Sequence, residues 1–168
     1  MTKMVEPIIA EMQREAATTR RLLERVPDAK LTWKPHHTSM TLGQLAIHTA
    51  TIPGVLTGLA QLEEFDTVNA NFDPPQPATT AEILTAFDGS IATAQENLSN
   101  MTESAAMGNF RMLAKGKEVF VIPRMGMLRA IVLNHWYHHR GQLSVYLRML
   151  EVPIPVIYGR SADENPFA

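Results

Sequence analysis

Three of the six histidines in this chain fall within ten residues, in the stretch NHWYHHRGQL from Asn134 to Leu143. His135 and His139 are four residues apart, a spacing that puts two imidazoles on one face of a helix and within reach of one metal ion. His138 lies about 100° around the helix from His139 and does not belong to that face. The spacing predicts a pair of metal ligands, and the alternative is a pair of core histidines held by hydrogen bonds.

His48, in the stretch LGQLAIHTA, is the candidate third ligand. On a helix it lies within about 20° of Val55 and Leu59, which predicts that it also points inward. Three inward histidines on two helices would leave coordination positions open for water or substrate, as catalytic metal sites do. His48 taken alone would be read as an ordinary core histidine. His36 and His37 are expected to be solvated loop residues.

Further residues have weaker claims on the site. Gln142 lies one turn beyond His139, about 60° around, and is a candidate for holding an imidazole through a hydrogen bond. Trp33, in the stretch TWKPHH, is a candidate wall of a pocket. Trp136 and Arg140 are expected to face away from a buried stripe centred near His139 and to contact the chain's tail or a partner subunit. The sequence identifies no general base, so the catalytic residues stay unknown.

Four stretches with helical periodicity must position these residues. The first runs from about Met4 to Arg25, and the second begins at a T-x-x-Q capping box whose N-cap is Thr41. Pro53 inside the second stretch is expected to kink or locally break the helix. The third begins at a similar box at Thr79, and the fourth covers about 124–150 before Pro153.

The remaining segments are irregular in composition. Residues 100–108 are expected to be irregular, and NFRMLAKGKEVFVIP predicts either a small hairpin turning at Gly116 or an ordered loop. The tail of about 151–168 has no period and several prolines, which predicts extended chain over the surface. Four amphipathic helices predict an all-α four-helix bundle, with residues 1–168 forming one domain.

Composition and charge exclude several classes of function. The formal net charge is −2, so nothing favours binding to nucleic acid or to an anionic membrane. Cysteine is absent, which removes disulfides, thiolate metal sites and cysteine nucleophiles. No segment reads as a signal peptide or membrane span. A cytoplasmic protein is expected.

Two stretches resemble a known family. HWYHHRGQLSVYLRML followed by VPIPVIYGRSADE looks like the C-terminal signature of the DinB/YfiT-like superfamily, and LTWKP…SMTLGQLAIHTA is similar to its second-helix region. The resemblance implies a four-helix bundle, often a homodimer. It also implies a divalent metal, typically nickel or zinc, held by His48, His135 and His139. Members of the family are described as damage-inducible.

The resemblance further implies metal-dependent chemistry, chiefly transfer or isomerisation with low-molecular-weight thiols. Because the chain has no cysteine, any thiol must be a co-substrate. The leading hypothesis is therefore a metal-dependent transferase acting on a small molecule. Three alternatives remain open: a hydrolase that uses metal-bound water, a non-catalytic metal-stabilised stress or interaction protein, and a bundle that binds no metal.

Overall fold

The computed structural model describes residues 4–167. Three long helices are α1 (Glu6–Leu23), α2 (Leu42–Leu59) and α3 (Thr80–Asn100), and a short helix, α4 (Glu103–Met107), follows α3. The fourth long helical stretch has three parts, which are α5 (Arg124–Met127), a π-helical segment (Leu128–Leu133) and α6 (Asn134–Met149). The predicted helical bundle is confirmed.

The helix starts follow from local hydrogen bonding. The Thr41 hydroxyl accepts from the Gln44 backbone N–H while the Gln44 side chain accepts from Thr41, so the predicted capping box is complete. At α3, the Thr79 hydroxyl accepts from the backbone N–H of Glu82. The interval 100–108, expected to be irregular, contains α4 because Thr102 caps it in the same way.

Pro53 does not end α2, which continues through it to Leu59. Ser90 on α3 takes part in the local hydrogen bonding: its hydroxyl accepts from the Gly54 backbone N–H at 2.8 Å and donates to the Thr51 carbonyl at 3.1 Å. Gly54 lacks a side chain where a Cβ would come within 3.0 Å of the Ser90 carbonyl oxygen. The hydroxyl of Ser90 therefore joins α3 to α2 on both sides of Pro53.

A small three-stranded sheet lies beside the bundle, in the order β1 (Glu64–Asp66), β2 (Asn109–Ala114) and β3 (Lys117–Pro123). The strands β2 and β3 are antiparallel and form the predicted hairpin, with Gly116 at a φ of +72° in its turn. The parallel pairing of β1 with β2 was not predicted, because three residues are too few for a period to register.

The tail is irregular from residue 152 onward within the described part of the chain, and it is fastened by side chains. Arg148 pairs with Asp163, and Arg25 pairs with Glu164 at 3.0 Å. Ile154 is buried against the bundle. The extended tail thus packs on α1 and α6 with specific contacts.

Candidate metal centre

The pair His135 and His139 lies in the first half of α6. Their Nε2 atoms are 2.7 Å apart and their ring centroids are 4.6 Å apart. The four-residue spacing therefore turns both imidazoles toward one point, as helical geometry requires.

His48 reaches the same point from the first half of α2. Its ring centroid lies 4.5 Å from that of His139 and 5.4 Å from that of His135. One ring nitrogen from each of the three histidines can be chosen so that all lie within 4.8 Å of one another. The structure thus brings together the three histidines that the sequence analysis selected.

The cluster sits at the margin of the core. The buried residues of α6 are Trp136, His139, Arg140, Leu143 and Leu147, while His135 is half-buried. Four of these residues are almost completely buried, namely Trp136, Arg140, Leu143 and Leu147. At 100° per residue, the centre of the stripe that they form lies about 70° around the helix from His139. The expectation that His139 marks the centre of the stripe was wrong, and so was the expectation that Trp136 faces away from the core.

Arg140, also expected to face away, is only 1% exposed and pairs with Glu15 at 2.6 Å. Its guanidinium bonds the Tyr158 hydroxyl, so the expected contact with the tail is present. On α2, Val55 was expected on the buried stripe but is 59% exposed, so it lies on the solvent side of His48.

Gln142 fixes the orientation of His139. The Gln142 Oε1 lies 2.8 Å from His139 Nδ1. Because an amide oxygen only accepts hydrogen bonds, Nδ1 carries the proton and Nε2 of the neutral ring keeps its lone pair. That lone pair faces His135 Nε2, which makes His139 a preoriented donor to whatever lies between the two rings.

Burial keeps the three imidazoles neutral. The pKa of His139 falls to about 4, first because burial disfavours the charged ring and then because His48 and His135 are close. Burial also lowers the pKa of His48, with His135 adding to the effect. It lowers that of His135 too, with His138 adding to the effect. At neutral pH all three rings are therefore uncharged.

The donor set fits a divalent cation such as zinc or nickel. Neutral imidazole is a good ligand for both metals. Nitrogens around one tetrahedral ion with bonds of about 2.1 Å lie roughly 3–4 Å apart, so the 2.7 Å pair and the 4.8 Å limit on the set require only small adjustments. Without a cation, the facing Nε2 atoms of His135 and His139 must share a proton.

A cavity of about 380 Å³ lies beside the cluster, and His48 and His135 both line it. Its opposite wall comes from the segment 65–75, including Phe65, Phe72 and Asp73. The composition of FDPPQPATT, residues 72–80, is typical of a loop but does not indicate which surface the loop covers. These wall residues were missed.

The other candidates lie elsewhere. Trp33 is half-buried and packs edge-to-face on Tyr146 at 5.8 Å, and it is not among the residues that line this cavity. His138 is exposed, as are His36 and His37, which stack on each other with centroids 4.1 Å apart. The ring of His138 lies 5.0 Å from that of His139, but His138 is not one of the three histidines whose nitrogens converge, as the sequence analysis predicted.

Comparisons with known proteins agree on the family. The sequence model described as the DinB superfamily matches residues 11–143. An uncharacterized protein of Bacillus subtilis, YrdA, is 26% identical over 166 residues, which cover 98% of this chain and 93% of that protein.

Two crystal structures share the fold. A DinB-like protein from Bacillus cereus superposes with a TM-score of 0.70 at 24% identity, over 94% of this chain and 100% of the other. The DinB-like protein YjoA from Bacillus subtilis superposes with a TM-score of 0.69 at 18% identity, over 93% and 100% of the respective chains. Within residues 4–167, every helix is too short or too polar to span a membrane.

Proposed function

This chain belongs to the DinB superfamily, and we propose that it is a metal-dependent transferase that uses a low-molecular-weight thiol as co-substrate. His48, His135 and His139 would hold one divalent ion, zinc or nickel. The observation that carries the proposal is the convergence of three neutral imidazoles from two helices at the edge of a cavity. A closed structural zinc site has four protein ligands, whereas three leave room for a reactant.

A divalent ion at this position supplies Lewis acidity, which lowers the pKa of a thiol or water that reaches it. The protein contributes the orientation of the donors. Gln142 keeps the proton of His139 on Nδ1, so that Nε2 is available. The low pKa of His139, about 4, keeps that nitrogen unprotonated under mildly acidic conditions.

The proposed reaction is a substitution in which a thiol replaces the leaving group of an electrophile. The thiol loses its proton to solvent, and its sulfur forms a bond to an electrophilic carbon. The bond from that carbon to its leaving group breaks, and the leaving group departs with the electron pair. No thiol is available within the chain, which has no cysteine, so the sulfur comes from the co-substrate.

Cobalt substitution tests the thiol step. Co²⁺ titrated into metal-free protein gives visible absorption bands if imidazoles bind it. Adding mercaptoethanol or glutathione is then expected to produce a new near-ultraviolet charge-transfer band from sulfur to cobalt. The S-methylated form of glutathione serves as the matched control, because a thioether cannot form a thiolate.

A thiol-dependent band in the wild type and in His138→Ala, but not with the thioether, supports the proposal. Cobalt binding with no response to either thiol contradicts the role of the thiol. In that case metal-activated water, and therefore hydrolysis, becomes the better account of the site. A site that no added ligand reaches would instead indicate a non-catalytic, metal-stabilised protein.

A further inference from the structure

The cavity beside the histidines is apolar over most of its wall. Six of its lining residues are large hydrophobic side chains from α2 and the segment after it, namely Ile52, Val55, Leu56, Leu59, Phe65 and Phe72. Its volume of about 380 Å³ lies within the range of roughly 300–1,000 Å³ found for small-molecule sites. Phe72 is 72% exposed, so an aromatic ring stands at the rim with one face in water.

The near absence of charged residues from the cavity wall favours an uncharged ligand. Among the described residues that line the cavity, Asp73 is the only one with a formal charge at neutral pH, and none is lysine or arginine. Away from the histidines, a carboxylate or phosphate on the ligand body would lose hydration without meeting a lysine or arginine.

Hydrogen bonds at both ends hold the loop that forms the wall. The Asp66 carboxylate accepts from the backbone N–H groups of Lys115 and Gly116 in the hairpin turn. Near the other end, the Gln44 side chain donates to the Pro74 carbonyl at 3.3 Å. The cavity is therefore bounded by a wall fixed to the hairpin on one side and to α2 on the other.

We propose that this cavity binds the uncharged, apolar body of the substrate, an aryl or branched-alkyl electrophile, with its reactive carbon toward His48 and His135. This assignment rests on the proposed thiol transfer for the nature of the reaction. The preference for a neutral apolar body comes from the cavity itself. In the metal-free protein, an anionic ligand of the same shape is expected to bind more weakly.

Two fluorescent probes with the same skeleton test the preference. N-phenylnaphthylamine is neutral and apolar, and anilinonaphthalenesulfonate adds one negative charge. Titrated into metal-free protein, the neutral probe is expected to bind at one site per chain, and the sulfonate at least about tenfold more weakly because of its desolvation. Metal-free protein separates this result from metal binding.

Two variants locate the site. Val55→Glu puts a charge on the cavity wall, and Val145→Glu puts the same charge on α6 away from it, where the valine is similarly exposed (57% against 59%). Val55→Glu is expected to weaken the neutral probe by about fivefold or more, and Val145→Glu to change it less than about twofold. Circular dichroism of each variant checks that the bundle is intact.

Nuclear magnetic resonance of the histidine rings provides a second, independent location. The neutral probe is expected to shift the ring resonances of His48 and His135 and to leave unchanged those of His36 and His37, which are exposed and do not line the cavity. Equal binding of both probes, equal losses in the two glutamate variants, or a shift confined to His36 and His37 would overturn the assignment. Failure to bind metal, with these probe results intact, would instead overturn only the proposed transfer.

Discussion

Neutral imidazoles are costly to protonate where they lie, and this gives the metal-free protein a defined pH dependence. The pKa of His139 is lowered to about 4 in the folded protein, whereas an unfolded histidine titrates near 6.5. The unfolded chain therefore binds protons first as the pH falls. Stability is full above about pH 6.5, declines below it, and stops declining from this cause once the folded ring is also protonated near pH 4.

We expect the free energy of unfolding to fall by up to about 3 kcal/mol between pH 7.5 and pH 4 through His139 alone. Urea unfolding of metal-free protein at several pH values measures this. His139→Leu, which cannot titrate, is the control and should flatten the curve. A decline of the same size in His139→Leu would show that other groups cause it.

The bond between Gln142 and His139 predicts an effect on metal affinity. Gln142→Leu leaves the Nδ1 proton of His139 without its acceptor, so the ring is free to turn. Affinity for zinc is expected to fall by roughly tenfold to a hundredfold, whereas Gln142→Glu should keep or raise it because a carboxylate accepts the same bond. Competition with a chelating indicator measures both. Equal affinities in wild type and Gln142→Leu would contradict the assigned role.

At the scale of elements, the helix that carries the histidine pair separates what the sequence predicts from what it does not. The pair and its partner His48 were predictable, because four-residue spacing and a common inward direction survive small errors of angle. The centre of the buried stripe was not. A uniform 100° turn puts Leu128 and Arg140 about 120° apart, yet both are buried.

The π-helical segment Leu128–Leu133 explains the difference. Its hydrogen bonds span five residues, so each residue turns the helix by less than 100°. That smaller turn offsets the drift of a four-residue repeat and keeps Leu128, Val132, Trp136 and Arg140 on one side. His135 and His139 are consequently moved to the margin, where a reactant can approach. No residue type in LRAIVL indicates that this segment is π-helical rather than α-helical.

The two hydrogen bonds between Ser90 of α3 and the backbone of α2 give a prediction about stability. In Ser90→Ala, the Gly54 N–H loses its acceptor and the Thr51 carbonyl loses a donor. Because the Gly54 donor is buried, the free energy of unfolding should fall by about 1–3 kcal/mol.

Thr93→Ala, at an exposed position on the same helix, is the control and should cost less than about 0.5 kcal/mol. Urea unfolding of both variants measures the difference. Equal losses would mean that the hydrogen bonds of Ser90 to α2 do not stabilise the fold.

At the scale of the whole molecule, one buried cation joins α1, α6 and the tail. Arg140 pairs with Glu15, donates to Thr19 at 3.1 Å, and lies over the rings of Tyr137 and Tyr158. The periodicity of the four helices was enough to predict the bundle. It gave no indication of this network or of the third strand, since both depend on residues distant in sequence.

Removing the partner of that cation should be costly. Glu15→Ala leaves Arg140, which is 1% exposed, without its carboxylate, and a loss of about 3–5 kcal/mol is expected. Glu24→Ala breaks an exposed pair with Arg20 and should cost less than about 1 kcal/mol. Thermal and urea unfolding compare the two. A loss in Glu15→Ala no larger than in Glu24→Ala would contradict the bridging role.

The metal content of the purified protein tests the central proposal most directly. After loading with zinc or nickel and removal of the excess, elemental analysis should give about one ion per chain in wild type and in His138→Ala. His48→Ala, His135→Ala and His139→Ala should each lose most of it, with folding checked by circular dichroism. A full equivalent of metal in His48→Ala, or none in the wild type, would contradict a shared site on these three histidines.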